Sequence, residues 1–126
     1  MYPESVIEKK GTMKLSAIVN LVDAKVICGG DRLNDEVKAA FASDLLSDVL
    51  TLDTDGLMLI TGLCNQQTIR TAEMAEISCV LLVRGKKVSP EMLVLANENN
   101  MVMLECRYSM YKTVGILYTA GLAPVY

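Results

Sequence analysis

Long apolar segments and amphipathic segments alternate along the second half of this chain, and their order predicts a strand–helix repeat. Three runs are apolar at almost every position, as is typical of strands buried on both faces: LMLIT (57–61), SCVLLV (78–83) and MVMLEC (101–106). Segments with apolar residues at helical spacing follow them, over residues 65–77, 89–100 and 109–121. A strand–helix–strand repeat implies right-handed crossovers between parallel strands.

The first half of the chain begins with one more predicted helix and two more predicted strands. Residues 14–22 have apolar side chains at helical spacing, and Thr12 is positioned to cap the start of that helix. AKVIC (24–28) and VKAAFA (37–42) are short apolar runs that predict strands. A polar connection separates these two runs.

A further helix is predicted over residues 43–52, where Ser43 is available as the N-cap. Its apolar face would consist of Leu45, Leu46, Val49 and Leu50. The residues DTDG (53–56) then predict a turn by their composition. Taken together, the elements predict an α/β fold with a mainly parallel sheet of about five short strands and helices on both faces.

The composition indicates a single domain with an aliphatic core. Of the 126 residues 52% are apolar, but aromatic side chains are scarce and tryptophan is absent. We predict one domain over residues 13–126 and an N-terminal extension over residues 1–12, although Met13 could itself begin the chain. The first residues lack a signal-peptide pattern, and no apolar run approaches the ~20 residues that span a bilayer. We therefore expect a cytoplasmic protein without a membrane partner.

Charge, cysteine content and motifs argue against several kinds of ligand. The net charge is -3, and basic residues form no cluster larger than the pairs at 9–10 and 86–87, so we expect no nucleic-acid binding. The four cysteines are widely spaced and histidine is absent, so we expect no metal site. RGKK (84–87) lacks the other residues of a phosphate loop, and the dinucleotide fingerprint does not occur, so we expect no cofactor.

Ligands of parallel α/β sheets bind beyond the carboxyl ends of the strands, which here are the loops 61–67, 83–90 and 106–109. Gly62 would let a ligand approach the backbone closely. Asn65 is positioned either to cap the following helix or to help bind an anion at its start. The basic residues of the second loop would favour an anion, or they form a solvated loop. The candidate ligand site contains Thr61, Gly62, Cys64, Asn65, Gln66, Arg84, Gly85 and Lys86.

Two features would suit an enzyme, although each has a simpler explanation. Cys64 lies at a predicted helix start, which lowers the pKa of a thiol, but the chain has no histidine to act as its base. Asp44 and Asp48 are four residues apart and would share a helix face, as an acid–base pair or as a solvated surface. We therefore assign no catalytic residue.

The last predicted helix has more apolar surface than one core contact needs. One stripe consists of Met110, Val114 and Leu117, and a second consists of Tyr111, Gly115, Tyr118 and Leu122. We predict that the second stripe is an interface with another copy of the chain, with packing in the core as the alternative.

Three stretches resemble a known family: ASDLLSDVL (42–50), ITGLCNQQTIRTAEM (60–74) and VRGKKVSPE (83–91). With them, residues 13–122 resemble a DRTGG-domain protein, although only Asp31-Arg32 is similar to the string that names the family. The resemblance implies an α/β fold similar to the N-terminal domain of HPr kinase/phosphorylase. It also implies a module often joined to CBS domains or to phosphotransacetylase, without established catalytic residues. Stand-alone members of similar type accompany iron-hydrogenase and redox-complex genes.

Three functional hypotheses follow. The favoured one is a non-enzymatic regulatory module, expected to be a homo-oligomer, that senses a small anionic or nucleotide-like ligand at the carboxyl ends of the strands. The alternative is a structural or assembly subunit of a redox complex of the iron-hydrogenase type, with no ligand. The third is a small enzyme that uses Cys64 or the pair Asp44 and Asp48.

Overall fold

Strands and helices alternate along residues 12–126, the part of the chain that the computed structural model describes. The elements are β1 (Met13–Lys14), α1 (Leu15–Val22), β2 (Lys25–Cys28), β3 (Glu36–Val37), β4 (Ala39–Ala42), β5 (Leu57–Thr61), α2 (Gln66–Met74), β6 (Cys79–Leu82), α3 (Pro90–Glu98), β7 (Val102–Glu105) and α4 (Met110–Thr119). Two short 3-10 segments, Gly30–Arg32 and Leu46–Thr51, complete the secondary structure of these residues.

The main sheet has five strands in the order β2-β7-β6-β5-β4. Strands β4 to β7 are parallel to one another, whereas β2 runs antiparallel to β7. The prediction of a mainly parallel five-stranded sheet is therefore confirmed. We call the side where β4 to β7 end the carboxyl edge and the opposite side the amino edge. Because β2 is antiparallel, it begins at the carboxyl edge with Lys25. Strands β1 and β3 form a separate antiparallel pair.

Each face of the sheet has its own apolar core, which explains why the central strands are apolar throughout. Along β5, Met58 and Ile60 pack in the core on the α1 and α4 side. Leu57 and Leu59 pack in the core on the α2 and α3 side. A strand whose alternate side chains enter two cores has no solvated face. The predicted placement of helices on both faces is confirmed.

Local capping signals start three of the helices. The side chain of Asn65 accepts a hydrogen bond from the backbone N–H of Thr68, at the start of α2. Ser89 begins α3 in the same way and is followed by proline at the first helical position, as its sequence predicts. Ser109 caps α4, and Gly121 follows the end of that helix in a left-handed conformation with φ +107°. These side chains satisfy backbone N–H groups that no helical carbonyl can reach.

The predicted cap at Thr12 is wrong, because the chain is still extended at the residues that follow it. Met13–Lys14 pair with Glu36–Val37, and α1 begins after Lys14 without a side-chain cap. The Thr12 hydroxyl instead donates a hydrogen bond to Glu36 Oε1 at 3.2 Å. The rest of the predicted extension, residues 1–11, lies outside the described residues.

The predicted α-helix over residues 43–52 is also wrong, since this segment forms the 3-10 helix Leu46–Thr51. Leu46 and Val49 are buried, but Leu45 and Leu50 are 63% and 49% exposed, so the predicted four-residue apolar face does not form. A 3-10 helix repeats every three residues, so only Leu46 and Val49, which are three residues apart, share one face. A helix this short is marginal on its own, so contacts with the sheet decide its conformation.

The helices of residues 12–126 are short, and the longest, α4, has ten residues. None of the helices in this part of the chain has the length and apolar character that crossing a membrane requires.

Candidate functional site

The three loops predicted to form a site are neighbours at the carboxyl edge, where backbone hydrogen bonds join them. The Val83 N–H donates to the Thr61 carbonyl at 3.0 Å. The Arg84 N–H donates to the Tyr108 carbonyl at 2.8 Å, and the Gly85 N–H donates to the Cys106 carbonyl at 3.0 Å. The loop after β6 is therefore bonded to the loops after β5 and β7.

The loop after β6 turns sharply at Arg84 and Gly85. Both residues have left-handed backbones, with φ +65° and +71°, and the Lys86 N–H donates to the Val83 carbonyl at 3.4 Å. Glycine adopts this conformation freely, but arginine seldom does. Strained backbone of this kind persists where the surrounding structure holds it, and it is frequent at functional sites. Here it directs the Arg84 side chain back across the end of β5.

Asp44 meets this arginine and closes a cluster that we call the Asp44 cluster, formed by Asp44, Thr61, Gly62 and Arg84. Asp44 Oδ1 accepts hydrogen bonds from the Gly62 N–H at 2.7 Å and from the Thr61 hydroxyl at 3.0 Å. Arg84 Nη2 lies 3.7 Å from Asp44 Oδ2. The Gly62 N–H, and then the Thr61 hydroxyl and the Arg84 charge, lower the pKa of Asp44 against the opposing effect of desolvation.

In this conformation Arg84 fills the space beside Gly62 that was expected to admit a ligand, so ligand contact at Gly62 stays a prediction. Arg84 Nη2 donates a hydrogen bond to the Gly62 carbonyl at 3.2 Å, and a β-carbon at Gly62 would collide with the guanidinium. Thr61 is fully buried, and its hydroxyl also accepts a hydrogen bond from the Leu63 N–H at 3.1 Å. Thr61 and Gly62 therefore support the loop, and Arg84 and Asp44 are the half-exposed members of the cluster that solvent can reach.

Asn65 and Gln66 lie at the exposed start of α2. Asn65 Oδ1 accepts from the Thr68 N–H at 3.1 Å, so the capping role weighed from the sequence is present. Gln66 is the first residue of the helix. Both side chains remain accessible beside the Asp44 cluster, and their part in ligand binding stays a prediction.

Cys64 is held as a protonated thiol. Its Sγ donates to the Lys87 carbonyl at 3.0 Å, which ties the loop after β5 to the loop after β6. Burial, and to a smaller degree the Glu105 charge, raise the pKa of the Cys64 thiol, while Lys86 opposes the shift. A nucleophilic cysteine requires the opposite shift, so the geometry favours a structural role for this side chain.

A cavity of about 170 Å³ opens beside this loop, between the ends of β6 and β7 and the start of β2. We call it the basic pocket; it is lined by Asp23, Lys25, Gly85, Lys86, Lys87, Glu105, Cys106 and Arg107. Its two carboxylates already have partners, since Arg107 lies 3.6 Å from Asp23 and Lys87 lies 3.6 Å from Glu105. Within the described part of the chain, Lys25 and Lys86 have no carboxylate at ion-pair distance.

Glu105 is a member of this site that the sequence analysis missed. It is the last residue of β7 and is only 8% exposed. Its Oε2 accepts a hydrogen bond from the Val88 N–H at 2.7 Å, so it fastens the loop after β6 to β7. The signal in the sequence was an acidic residue that closes an otherwise apolar run, MVMLE.

The two aspartates considered for catalysis do not share a helix face, because no α-helix forms there. Asp44 precedes the 3-10 helix and binds Thr61 and Gly62, whereas Asp48 is an exposed residue within that helix. Across residues 12–126, acidic, cysteine and histidine side chains nowhere gather in a group of three that could hold a metal ion.

The predicted interface stripe on α4 is exposed except at one end. Tyr111 and Tyr118 are 91% and 67% exposed, and Gly115 lies between them on the surface. Leu122 is only 3% exposed and packs in the core, so its place in the stripe is wrong. It lies beyond the end of the helix at Thr119, where the chain turns back toward the sheet.

An apolar cleft of about 230 Å³ lies next to this stripe. It is lined mainly by α4, β4 and the C-terminal segment, and its rim includes Phe41, Tyr118 and Tyr126. The lining has almost no polar groups that would orient a small ligand, in contrast to the basic pocket. The cleft therefore fits a protein contact better than an anionic ligand.

Comparison with known proteins bears on the fold and the family. A family model described as the DRTGG domain matches residues 17–120. No curated protein matches the sequence significantly. Among solved structures, the chain is similar to the CBS and DRTGG domains of the regulatory region of Clostridium perfringens pyrophosphatase, complexed with the activator diadenosine tetraphosphate. The TM-score is 0.70 at 15% identity, and the match covers 99% of this chain but only 53% of that one.

Proposed function

The chain belongs to the DRTGG domain family, and from that premise we propose that it is a regulatory module, without catalysis of its own, that binds a small anionic ligand at the carboxyl edge. One observation carries the proposal. Lys25 and Lys86 line the basic pocket without a carboxylate partner in the described residues, at the edge of the sheet where α/β proteins bind ligands.

The distribution of charge supports the same edge. Although the whole chain has a net charge of -3, six of its basic residues lie here: Lys25, Arg84, Lys86, Lys87, Arg107 and Lys112. The acidic residues around them, Asp23, Asp44 and Glu105, each have a basic side chain within 4 Å. A local excess of positive charge on an acidic protein attracts anions and raises their rate of association.

Nucleotides with several phosphates are the first ligands to test. The pocket of about 170 Å³ has room for a phosphate group but not for a whole nucleotide, so the remainder would lie along the loops 83–90 and 61–67. The related regulatory region from Clostridium perfringens was solved with diadenosine tetraphosphate. That protein is about twice as long as the match, so its ligand suggests a chemical class for this chain and nothing finer.

The test is a thermal-shift and calorimetry panel that contains ATP, diadenosine tetraphosphate, coenzyme A, acyl phosphates and inorganic phosphate. A ligand at a hundred times its dissociation constant adds about 2.7 kcal/mol of stability. We expect the double variant Lys25→Ala/Lys86→Ala to bind about ten-fold or more weakly, since each lysine contributes a charge-assisted contact.

The matched control is Lys38→Ala/Arg70→Ala, which removes two positive charges elsewhere on the surface. Lys38 pairs with Asp55 and Arg70 is exposed on α2. An equal loss of affinity in both double variants would show that net charge alone governs binding. Absence of binding across the panel would contradict a ligand-binding function.

An assembly role is the second candidate, and the exposed tyrosines of α4 beside an apolar cleft favour it. In this case the surface around Tyr118 would contact another copy of the chain or a protein of a redox complex. Tyr118→Glu would then give a monomer in sedimentation velocity, whereas Tyr111→Glu tests the far end of the stripe. If the wild-type chain is already a monomer at high concentration, self-association is ruled out as the role of this surface.

A further inference from the structure

The Asp44 carboxylate is bound at the carboxyl edge in the way that a ligand anion would be. One of its oxygens accepts from a backbone N–H at 2.7 Å and from a hydroxyl at 3.0 Å, and a guanidinium lies 3.7 Å from the other. Backbone N–H groups, hydroxyls and arginine side chains are the groups with which proteins bind phosphates and carboxylates. The chain therefore already contains an anion site here, and its own aspartate occupies it.

The contact between Asp44 and Arg84 is one that a competing anion could replace. Their side chains are 49% and 50% exposed, so an anion can reach both from solvent. Their nitrogen–oxygen distance of 3.7 Å is long for a charge-assisted hydrogen bond, which is usually about 2.7–2.9 Å. Exposed pairs of this kind contribute little stability and are screened by salt.

From this geometry we infer that Asp44 is a built-in competitor, and that an anionic ligand at the carboxyl edge displaces its carboxylate and frees the start of the segment 44–52 to shift. The inference rests on the proposed function and adds how ligand binding becomes a change of conformation. The ligand takes the Gly62 N–H and the Arg84 guanidinium as partners, and the segment that begins at Asp44 loses its attachment to the edge.

The segment 44–52 is suited to change conformation when the Asp44 contacts are lost. Ser43 stays attached to the sheet, since its N–H donates to the Ile60 carbonyl at 3.0 Å. Beyond Asp44, the segment is a six-residue 3-10 helix that is anchored by Leu46 and Val49 and leaves Leu45 and Leu50 exposed. 3-10 helices are usually short, and their hydrogen-bond geometry is poorer than that of α-helices. Loss of the Asp44 contacts would let the segment shift and change the apolar surface that it presents.

Competition of this kind lowers the apparent affinity for the ligand, because only molecules whose Asp44 is dissociated can bind it. The apparent affinity is the affinity of the open site multiplied by the fraction of molecules in which it is open. If about a tenth of the molecules have Asp44 dissociated, removal of its negative charge raises the affinity about ten-fold. Asparagine is the appropriate replacement, because its carbonyl oxygen can still accept from the Gly62 N–H. It competes weakly, since it has no charge to attract the Arg84 guanidinium.

The experiment measures the affinity of inorganic pyrophosphate by calorimetry for the wild-type chain, Asp44→Asn and Asp48→Asn. Asp48→Asn is the matched control, because it removes the same charge from the same segment at an exposed position within the 3-10 helix. We expect Asp44→Asn to bind about five-fold or more tightly than the wild-type chain, which corresponds to an ordinary coupling between sites. Asp48→Asn should remain within about two-fold, which general charge effects explain.

Each outcome separates this inference from the proposed function. If the wild-type chain binds pyrophosphate and Asp44→Asn binds no more tightly than Asp48→Asn, the competition is contradicted while the anion site remains. If neither the wild-type chain nor either variant binds pyrophosphate, the competition is contradicted, and the panel of nucleotides and phosphates decides the proposed function separately. Should Asp44→Asn not fold, hydrogen exchange of the wild-type chain decides. Faster exchange at residues 45–52 with saturating pyrophosphate supports the release of this segment, and unchanged or slower exchange overturns it.

Discussion

The two edges of the sheet are built from the same kinds of residue but hold them differently. Each edge has a glycine with close neighbours and an arginine that joins separate segments: Gly29 and Arg32 at the amino edge, Gly62 and Arg84 at the carboxyl edge. At the amino edge two of the three nearest neighbours are backbone atoms, of Val102 and Met101, and the third is a side-chain carbon of Val102. At the carboxyl edge all three belong to the end of one half-exposed side chain, that of Arg84.

The arginines show the difference most directly. Arg32 donates to Asp35 at 2.8 Å, to the Asn100 carbonyl at 2.6 Å and to the Ser78 hydroxyl at 3.1 Å, and thus joins three parts of the chain. Arg84 has one side-chain hydrogen bond, at 3.2 Å, and an ion pair at 3.7 Å. Tight, fully used contacts suit an element that maintains the fold, whereas loose ones leave a group available to a ligand. We therefore expect the amino edge to stabilise the fold and the carboxyl edge to provide the proposed site.

The largest expected effect comes from the glycines. A β-carbon at Gly29 would lie 2.9 Å from Val102 Cα and 3.1 Å from the Met101 carbonyl oxygen, and φ there is +81°. The backbone conformation costs about 1–2 kcal/mol for any other residue and overpacking adds about 1–3 kcal/mol, so Gly29→Ala should destabilise by about 3 kcal/mol. The free energy of unfolding in urea measures the effect.

Gly62→Ala is the matched variant at the other edge. Its β-carbon would collide with the Arg84 guanidinium, a flexible group that can move into solvent, so the expected loss is under about 1 kcal/mol. Similar losses in the two variants would show that both edges are equally rigid and would contradict the contrast between them.

The second expected effect concerns the arginines themselves. Arg32→Ala removes three hydrogen bonds from a charged group that is 32% exposed, and we expect a loss of about 1–2 kcal/mol in urea unfolding. Arg84→Ala should cost under about 0.5 kcal/mol, because it removes only one weak bond and an exposed ion pair.

Ligand affinity should show the reverse order for these two variants. Arg84→Ala removes a guanidinium of the proposed site and should weaken pyrophosphate binding about ten-fold, since a charge-assisted contact is lost. Arg32→Ala lies at the opposite edge and should bind normally once it is folded. If Arg32→Ala loses affinity and Arg84→Ala does not, the site has been assigned to the wrong edge.

The sequence predicts the features that depend on neighbouring residues, but not those that depend on contacts between distant parts of the chain. Strands β5 to β7 and the starts of α2 and α3 are predicted because apolar runs and capping residues act locally. The segment 43–52 is not, because it contacts residues much later in the chain, as Asp44 does with Thr61 and Gly62. The spacing of apolar residues predicts burial along one segment and gives no information about contacts with distant residues.

The candidate site was predictable only in its location. Topology places the loops after β5, β6 and β7 at one edge, and the structure confirms that they adjoin. The left-handed backbone at Arg84 was not predictable, and Glu105 was indicated only by its place at the end of an apolar run, since the contacts of both residues join segments that are separate in sequence. Residue types alone made Gly62 a candidate for ligand contact, whereas the structure places Arg84 against it.

The smallest expected effect, and the one that tests the carboxyl edge without a ligand, is the response of stability to acid. The Gly62 N–H, the Thr61 hydroxyl and the Arg84 charge together lower the pKa of Asp44 below its ordinary value of 3.8. A carboxyl whose pKa is lower in the folded chain adds stability that is complete above the unfolded pKa and disappears as the pH falls through the folded value. Because Asp44 is half exposed, this contribution should be only a fraction of a kcal/mol.

Urea unfolding of the wild-type chain and of Asp44→Asn between pH 7 and pH 3 measures this contribution. The difference between them should be constant down to about pH 5 and should shrink below about pH 4, because Asp44 takes up its proton in the unfolded chain before it does so in the folded chain. Asp48→Asn, an exposed carboxyl in the same segment, controls for the general effect of removing a charge. A difference that exceeds the loss in Arg32→Ala would mean that the Asp44 cluster maintains the fold as the amino edge does. In that case the cluster could not yield readily to a ligand, and the contrast between the two edges would disappear.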